Sequence, residues 1–340
     1  MTLKNQSNHD FEPKVVVTSI SFSKSTVLRK WLLDIFPNSI FNETGQRLSG
    51  VELVEFIDNA DAAIVGIETI DDSLLKHTPS LKIISKYGVG LDNIDQKSLT
   101  KRSITLGWTG GINQRSVSEL TLAFMLGLCR NVFTAGFKFK NGVWDKNGGH
   151  QLSGKTVGII GCGHIGSDVV RLLSPFGCNI LINDIVSKKD FCLEQGISEV
   201  SLNEVLKKSD IITLHVPLTE LTRQMVNESF FQRMRSTAFL VNTCRGEVVN
   251  QGSLKNALSK RVIAGAALDV FIEEPPTDAE FLSLPNLMVT PHIGGNSKEA
   301  VETMGRSAIN HLTSFFGNSP TKKLNKNYSE KIKAGSGRLV

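Results

Sequence analysis

The segment Thr156-Val157-Gly158-Ile159-Ile160 runs directly into Gly161-Cys162-Gly163-His164-Ile165-Gly166 and then into the helix-period run Ser167–Leu173. An apolar strand, a G-x-G-x-x-G turn and a helix, in that order, leave few folds open. The first two glycines permit a tight turn and let backbone N–H groups approach a pyrophosphate. The third lets the helix press on the strand, and the helix N-terminus favours negative charge. A second strand, Asn179–Asn183, ends at Asp184, 23 residues after Gly161. A carboxylate there can accept hydrogen bonds from both ribose hydroxyls and would repel a 2′-phosphate, which favours NAD. The cofactor-binding set read from this motif is Gly161, Gly163, His164, Ile165, Gly166 and Asp184. Lys188 and Lys189, a few residues on, keep NADP open.

Around this motif, short β-rich runs alternate with helical stretches, the pattern of a parallel sheet covered on both faces. The first half offers strands at Lys14–Ile20, Asp61–Gly66, Lys82–Ser85 and Ile104–Gly107, with helices near Ser25–Phe36, Gly50–Asn59 and Ile94–Lys101. A long helix from Ser116 to about Ala135 is followed by a Gly/Asn-rich connection over residues 141–149 that suits a hinge. Six strands follow, at Thr156–Ile160, Asn179–Asn183, Asp210–Val216, Ala238–Thr243, Val262–Val270 and Leu287–Thr290, and then an amphipathic helix, Ser297–Phe316. The expected class is α/β, doubly wound.

With 340 residues and 40% hydrophobic content, the chain is long enough for two domains with separate cores and too apolar for a disordered one. Its formal charge is +5, and residues 321–340 carry all of it, with six basic side chains against Glu330. The rest is formally neutral, so the charge reads as a disordered basic tail rather than a nucleic-acid surface, and no nucleic-acid partner is expected. Met1 to Pro13 is polar, unlike a signal peptide, and no stretch approaches the ~20 apolar residues of a membrane span. A cytoplasmic location and no membrane partner are expected. The five cysteines are far apart and never spaced Cys-x-x-Cys, which argues against disulfides and a metal site.

In an open α/β sheet, ligands sit at the carboxyl ends of strands, which directs attention to four segments. Asn242-Thr243-Cys244-Arg245-Gly246 follows one strand, Asp269 ends the next, Glu274-Pro275-Pro276 lies just beyond, and Pro291-His292-Ile293-Gly294-Gly295 follows the last. A planar Arg245 fork can grip a carboxylate and polarise a neighbouring oxygen. His292 titrates in the range for proton exchange at neutral pH, and Glu274 would orient it and favour its protonated form. His215 also ends a strand, ahead of Pro217, and spacing alone does not separate it from His292.

The order of these segments resembles the D-isomer-specific 2-hydroxyacid dehydrogenases over roughly residues 14–316. The likeness rests on Lys86-Tyr87-Gly88-Val89-Gly90-Leu91-Asp92-Asn93-Ile94-Asp95, on Asn113 with Ser116-Val117-Ser118-Glu119, on Leu152-Ser153-Gly154-Lys155-Thr156-Val157-Gly158 entering the glycine loop, and on Asn242 to Gly246, Leu268 to Pro275 and Pro291 to Gly295. The resemblance implies Arg245, Glu274 and His292 as the catalytic set. It places His215, Pro217, Thr243, Cys244, Asp269 and His292 along the cofactor. It gives Val89 and Gly90 backbone N–H groups as a carboxylate-binding turn, with Asn113 near the substrate. Successive N–H groups in a turn bind anions for a physical reason, which supports the same assignment. A Rossmann cofactor domain, 109–295, is implied as an insertion in a discontinuous flavodoxin-like substrate domain, 1–108 with 296–318, the tail being 319–340. A cleft between domains and a homodimer through the cofactor domains are implied too.

The implied reaction moves a hydride between nicotinamide and a small D-2-hydroxy acid or its 2-keto form. Lys86 stands where relatives handling 3-phosphoglycerate often carry a basic residue, so a substrate phosphate is one option beside unphosphorylated acids. An NAD(H)-sensing module, like the corepressors of this fold, is the alternative from another class. Departures from the family pattern are Thr109-Gly110-Gly111 for Thr-Pro-Gly, Ser118 for Ala, and Cys244 beside Arg245, whose thiol is read first as a tolerated small group and second as an oxidation-sensitive one.

Overall fold

Parallel strands covered on both faces need near-continuous apolar runs, and the chain supplies them in two sets. The computed structural model describes residues 12–317; the expected basic tail lies outside the described residues. In the first set, β1 (Val15–Val17), β2 (Ile40–Phe41), β3 (Ala62–Val65), β4 (Ile83–Lys86) and β5 (Thr105–Gly107) pair in parallel in the order β2-β1-β3-β4-β5. In the second, β6 (Thr156–Ile160), β7 (Asn179–Asn183), β8 (Ser198–Glu199), β9 (Ile211–Leu214), β10 (Phe239–Asn242), β11 (Gly265–Leu268) and β12 (Leu287–Val289) pair in parallel in the order β8-β7-β6-β9-β10-β11-β12. Each order reverses beside its first strand, which creates a switch point at the strand C-termini.

The side-chain period of two divides each set between two cores. Val15, Val17, Ala62, Ile64 and Ile83 face one side of the first sheet, while Val16, Ala63, Val65 and Ile84 face the other. In the second sheet, Val157, Ile159, Ile180, Ile182 and Val241 share one core, and Ile160, Leu181, Ile212, Leu214 and Leu240 the opposite one.

The described chain divides into two compact units. Residues up to Ile112 and from Val301 onward form one, and Asn113–Ala300 the other. The helix Lys298–Phe316 explains the return to the first unit: Met304, Ala308, Ile309 and Leu312 complete one of its cores, and Ser85 Oγ donates to the Ala308 carbonyl at 2.8 Å. Burying Met304, Ile309 and Leu312 contributes roughly 5–9 kcal/mol, comparable to the net stability of a whole domain. Close packing is enforced at Gly305, where a Cβ would stand 2.3 Å from Leu28, and at Gly107, where it would stand 2.5 Å from His311.

Several elements depart from the sequence expectation. Two-residue strands β2 and β8 carry too little pattern to read. Ile20, expected in a strand, begins the helix Ile20–Lys24, started by Ser19, whose Oγ accepts from the Phe22 N–H. The expected long helix is two, Gln114–Cys129 and Val132–Lys140, divided at Asn131, which takes a left-handed φ of +52°. The Gly/Asn-rich connection is irregular and lies inside the second unit, away from the crossing at Ile112–Asn113. Among the described residues no single helix is long and apolar enough to cross a membrane, although the bent pair Gln114–Cys129 and Val132–Lys140 passes that test together.

Candidate active site

The glycine loop leaves β6 at the switch point of the second sheet. Gly161 has φ +89°, and a Cβ there would meet the His215 carbonyl oxygen at 2.6 Å; one on Gly166 would meet the Gly161 carbonyl oxygen at 2.1 Å. Loop and helix are thus pressed together in the way the motif requires. Gly163 differs: a Cβ there would meet nothing within 4 Å, and it starts the helix His164–Leu173 without a side-chain cap. First-turn N–H groups of a helix have no acceptor within it, so an open, uncapped start fits a pyrophosphate. Asp184 Oδ2 accepts the Cys162 N–H at 2.7 Å and Oδ1 the Val186 N–H at 2.9 Å. This carboxylate therefore shapes the glycine loop as well as standing where a ribose is expected. These residues fit a dinucleotide.

Farther along the same edge, the β10 turn is tied by Asn242. Its Nδ2 donates to the Arg245 carbonyl at 2.9 Å, and its Oδ1 accepts the Cys244 N–H at 3.0 Å. Gly246 lets this turn lie on the next, since a Cβ would fall 2.0 Å from the Phe271 carbonyl carbon. The Phe271 N–H in turn donates to Glu274 Oε1 at 3.1 Å, and Glu274 Oε2 pairs with His292 Nδ1 at 2.7 Å.

Asp269, almost wholly buried, fastens the His292 loop. Its Oδ1 accepts the Thr290 hydroxyl at 2.5 Å and the Ile293 N–H at 2.8 Å, and its Oδ2 accepts the Gly294 N–H at 2.8 Å. The His292 N–H donates to the Asp269 carbonyl at 2.9 Å. Within this frame His292 holds φ +54°, a left-handed conformation that is costly for a residue with a Cβ and is maintained by its surroundings. Ser116 Oγ adds a bond to the Gly294 carbonyl at 2.6 Å.

Electrostatics separate the two histidines that spacing left equal. The Glu274 hydrogen bond raises the His292 pKa against the opposing effect of burial, with the charge of Asp269 assisting and that of Arg245 opposing. Burial disfavours the Glu274 anion, yet the His292 bond, the Phe271 N–H and the charges of His292 and Arg245 outweigh it and hold its carboxyl below the usual range. Arg245, Glu274 and His292 therefore act on one another. His215 is partly buried with no charged group acting on it: burial lowers its pKa to about 3, Nδ1 has no hydrogen-bond partner, and Nε2 meets the Thr213 hydroxyl at 3.0 Å. Its surroundings favour the neutral ring.

The other expected residues fall in varied places. Pro217 is exposed beside the His215 segment. Thr243 is buried with its hydroxyl 2.9 Å from that of Thr121, so it faces the helix Gln114–Cys129. Cys244 is buried, its Sγ 3.0 Å from Asn242 Oδ1, and desolvation pushes its pKa up to about 11; the oxidation-sensitive reading lacks the thiolate it would need. Asn113 lies against the His292 loop, its Nδ2 2.7 Å from where a Gly295 Cβ would be, and its buried Oδ1 has no partner.

In the first unit, β4 ends at Lys86 and the turn begins. Lys86 does not present a free cation to a phosphate. It is buried, its ammonium bonded to the Gly66 carbonyl and to Asn93 Oδ1 at 2.8 Å. Lys86 thus acts as a cross-brace, and the phosphate expectation attached to it loses its physical basis. In the turn itself Gly88 takes φ +124°, and the N–H groups of Gly88, Val89 and Gly90 have no hydrogen-bond acceptor among the described residues. The Trp108 indole N–H donates to the Val89 carbonyl at 3.0 Å. Sequence reading overlooked Trp108; its one signal was a large aromatic just beyond a strand end.

A sequence model described as D-isomer specific 2-hydroxyacid dehydrogenase, NAD binding domain, matches residues 122–294. A glyoxylate reductase of Korarchaeum cryptofilum is 37% identical over 271 residues, covering 77% of this chain and 82% of that one. A D-3-phosphoglycerate dehydrogenase of Methanocaldococcus jannaschii is 38% identical over 267 residues, but the match covers only 51% of its length against 77% of this chain. The crystal structure of a D-lactate dehydrogenase from Aquifex aeolicus, complexed with NAD and lactic acid, superposes with a TM-score of 0.79 at 26% identity, covering 90% of this chain and 96% of that one. With the glycine loop, the two parallel sheets and the matches agreeing, the chain belongs to the NAD-dependent D-isomer specific 2-hydroxyacid dehydrogenase family.

Proposed function

We propose that the protein reduces a small, unphosphorylated 2-keto acid of the glyoxylate kind to the 2-hydroxy acid, with His292 as proton donor. The observation that carries this reading is the 2.7 Å Glu274–His292 pair within reach of the Arg245 charge. NADH, when bound, supplies the hydride to C2. Glu274 fixes the ring through Nδ1 and keeps it protonated, which leaves Nε2 to pass a proton to the C2 oxygen as that oxygen becomes a hydroxyl. Arg245 faces the substrate carboxylate and C2 oxygen, and the Val89 and Gly90 N–H groups take the carboxylate. His215, Pro217 and the glycine loop serve the cofactor, with Asp184 at the ribose. Asn113, with its unpartnered Oδ1, serves the substrate.

The bracing of Lys86 and the 37% identical glyoxylate reductase favour an acid without a phosphate. A panel of glyoxylate, hydroxypyruvate, pyruvate and phosphohydroxypyruvate with NADH tests this. The highest kcat/KM is expected for an unphosphorylated acid, and a clear preference for phosphohydroxypyruvate would overturn that part. Tight NADH binding with no turnover of any acid would overturn the catalytic reading.

The enzyme works as a homodimer joined through the cofactor domain in this proposal. The helix Val132–Lys140 buries none of its residues, and Phe133, Phe137, Phe139 and the nearby Trp144 are each more than half exposed. Apolar surface of that extent marks an interface. A Phe133→Asp/Phe137→Asp double variant is expected to sediment as a monomer. Five unpaired thiols suit the cytoplasm.

A further inference from the structure

We propose that Trp108 is a positioning residue that sets the direction of the Gly90 N–H and so holds the carboxylate receptor open. The inference rests on the reading of Val89 and Gly90 as the carboxylate site. A peptide unit is planar and trans, so the Val89 carbonyl and the Gly90 N–H belong to one rigid plane and point in opposite directions. The indole N–H of Trp108 holds that carbonyl at 3.0 Å, which aims the Gly90 N–H to the opposite side.

Such a brace matters here because of the turn's composition. Gly88 and Gly90 flank Val89, and Gly88 sits at φ +124°, so little side-chain hindrance resists rotation of the Val89–Gly90 peptide. A flipped peptide would present its carbonyl oxygen to an incoming carboxylate, turning attraction into repulsion. Donation to the carbonyl also polarises the unit and strengthens its N–H as a donor.

Trp108 is itself well anchored on both sides. Thr109 Oγ1 meets His311 Nε2 at 3.0 Å and accepts from Ser307 Oγ at 2.9 Å, while Gly107 packs directly on His311. The segment is thereby fixed to the helix Lys298–Phe316, while the indole, 42% exposed, remains at the surface of the turn. Its exposure and outward placement make its substitution compatible with folding.

The test compares Trp108→Phe, which keeps an aromatic ring but loses the N–H, with Trp108→Gln, which restores a donor, and with Gly90→Pro, which removes the N–H in question. With the keto acid and NADH, Trp108→Phe is expected to raise KM about tenfold, the cost of one hydrogen bond to a charged group, with kcat within about twofold. The Ki of oxamate, an unreactive carboxylate, should rise in parallel, NADH affinity should stay fixed, and Trp108→Gln should recover part of the KM. If Gly90→Pro raises KM and Trp108→Phe does not, the inference fails and the carboxylate reading survives. If neither variant moves KM or the oxamate Ki, the carboxylate reading itself fails. Equal losses in NADH affinity and keto-acid affinity would mean a general structural role and overturn the proposal.

Discussion

His215 and His292 both follow strands of one parallel sheet, yet their surroundings drive them to opposite states. Around His292, a carboxylate at 2.7 Å raises the pKa and the ring is half exposed. Around His215, burial without a charged partner lowers the pKa to about 3. Both are histidines just past the C-terminal ends of strands, and the partner and the solvent make the difference in charge, in the way one fold generally separates acid and base roles.

The largest expected effect tests that contrast directly. His292→Ala should lower kcat for keto-acid reduction by about 10²–10⁴, the usual worth of a positioned proton donor, whereas His215→Asn should leave kcat within a few-fold. Comparable losses in both variants would abolish the distinction. Next, Glu274→Gln should reduce kcat about 10–100-fold and move the alkaline limb of the reduction profile to lower pH. The sign follows from the raised His292 pKa: reduction needs the protonated ring, which Glu274 preserves as pH rises. An unmoved limb would remove Glu274 from the role.

Asp269→Asn sharpens the comparison at the level of the scaffold. The amide brings a donor toward N–H groups that now face a carboxylate, so the His292 loop should lose about 1–3 kcal/mol, read as a lower Tm, with activity falling alongside. The smallest effect concerns His215 and acid. A base whose folded pKa is depressed resists protonation only in the folded state, so its stability contribution is lost as pH falls from about 6.5, the ordinary histidine value, toward about 3. His215→Asn should therefore flatten the decline in denaturation free energy over that window. His292 contributes with the opposite sense, its stabilisation being complete below about 6.5 and lost above its raised pKa.

The sequence made the two sheets readable because strands buried on both faces write long apolar runs, as Ile159–Ile160 and Ile211–Ile212 do. It also marked the glycine loop and, past strand ends, Arg245, Glu274 and His292 as candidates. What it could not convey depends on distant neighbours. Lys86 reads as a cation available to substrate until Asn93 and Gly66 are seen to hold it. Asp269 reads as a cofactor-side carboxylate, while three of its bonds go to Thr290, Ile293 and Gly294. The separation of the histidines likewise arises from partial burial of one and pairing of the other with a carboxylate 18 residues away. The break at Asn131 escaped because the apolar pattern continues across it.

The helix Lys298–Phe316 carries an implication for synthesis of the chain. The five strands of the first sheet leave the ribosome first, but one of their cores lacks Met304, Ala308, Ile309 and Leu312 until nearly 200 further residues have been made. During that interval the second unit has all its strands and can fold ahead of the first, reversing the N-terminal-first order usual in translation. One core of the unit built on the earlier strands can therefore be completed only after every strand of the second unit has been made.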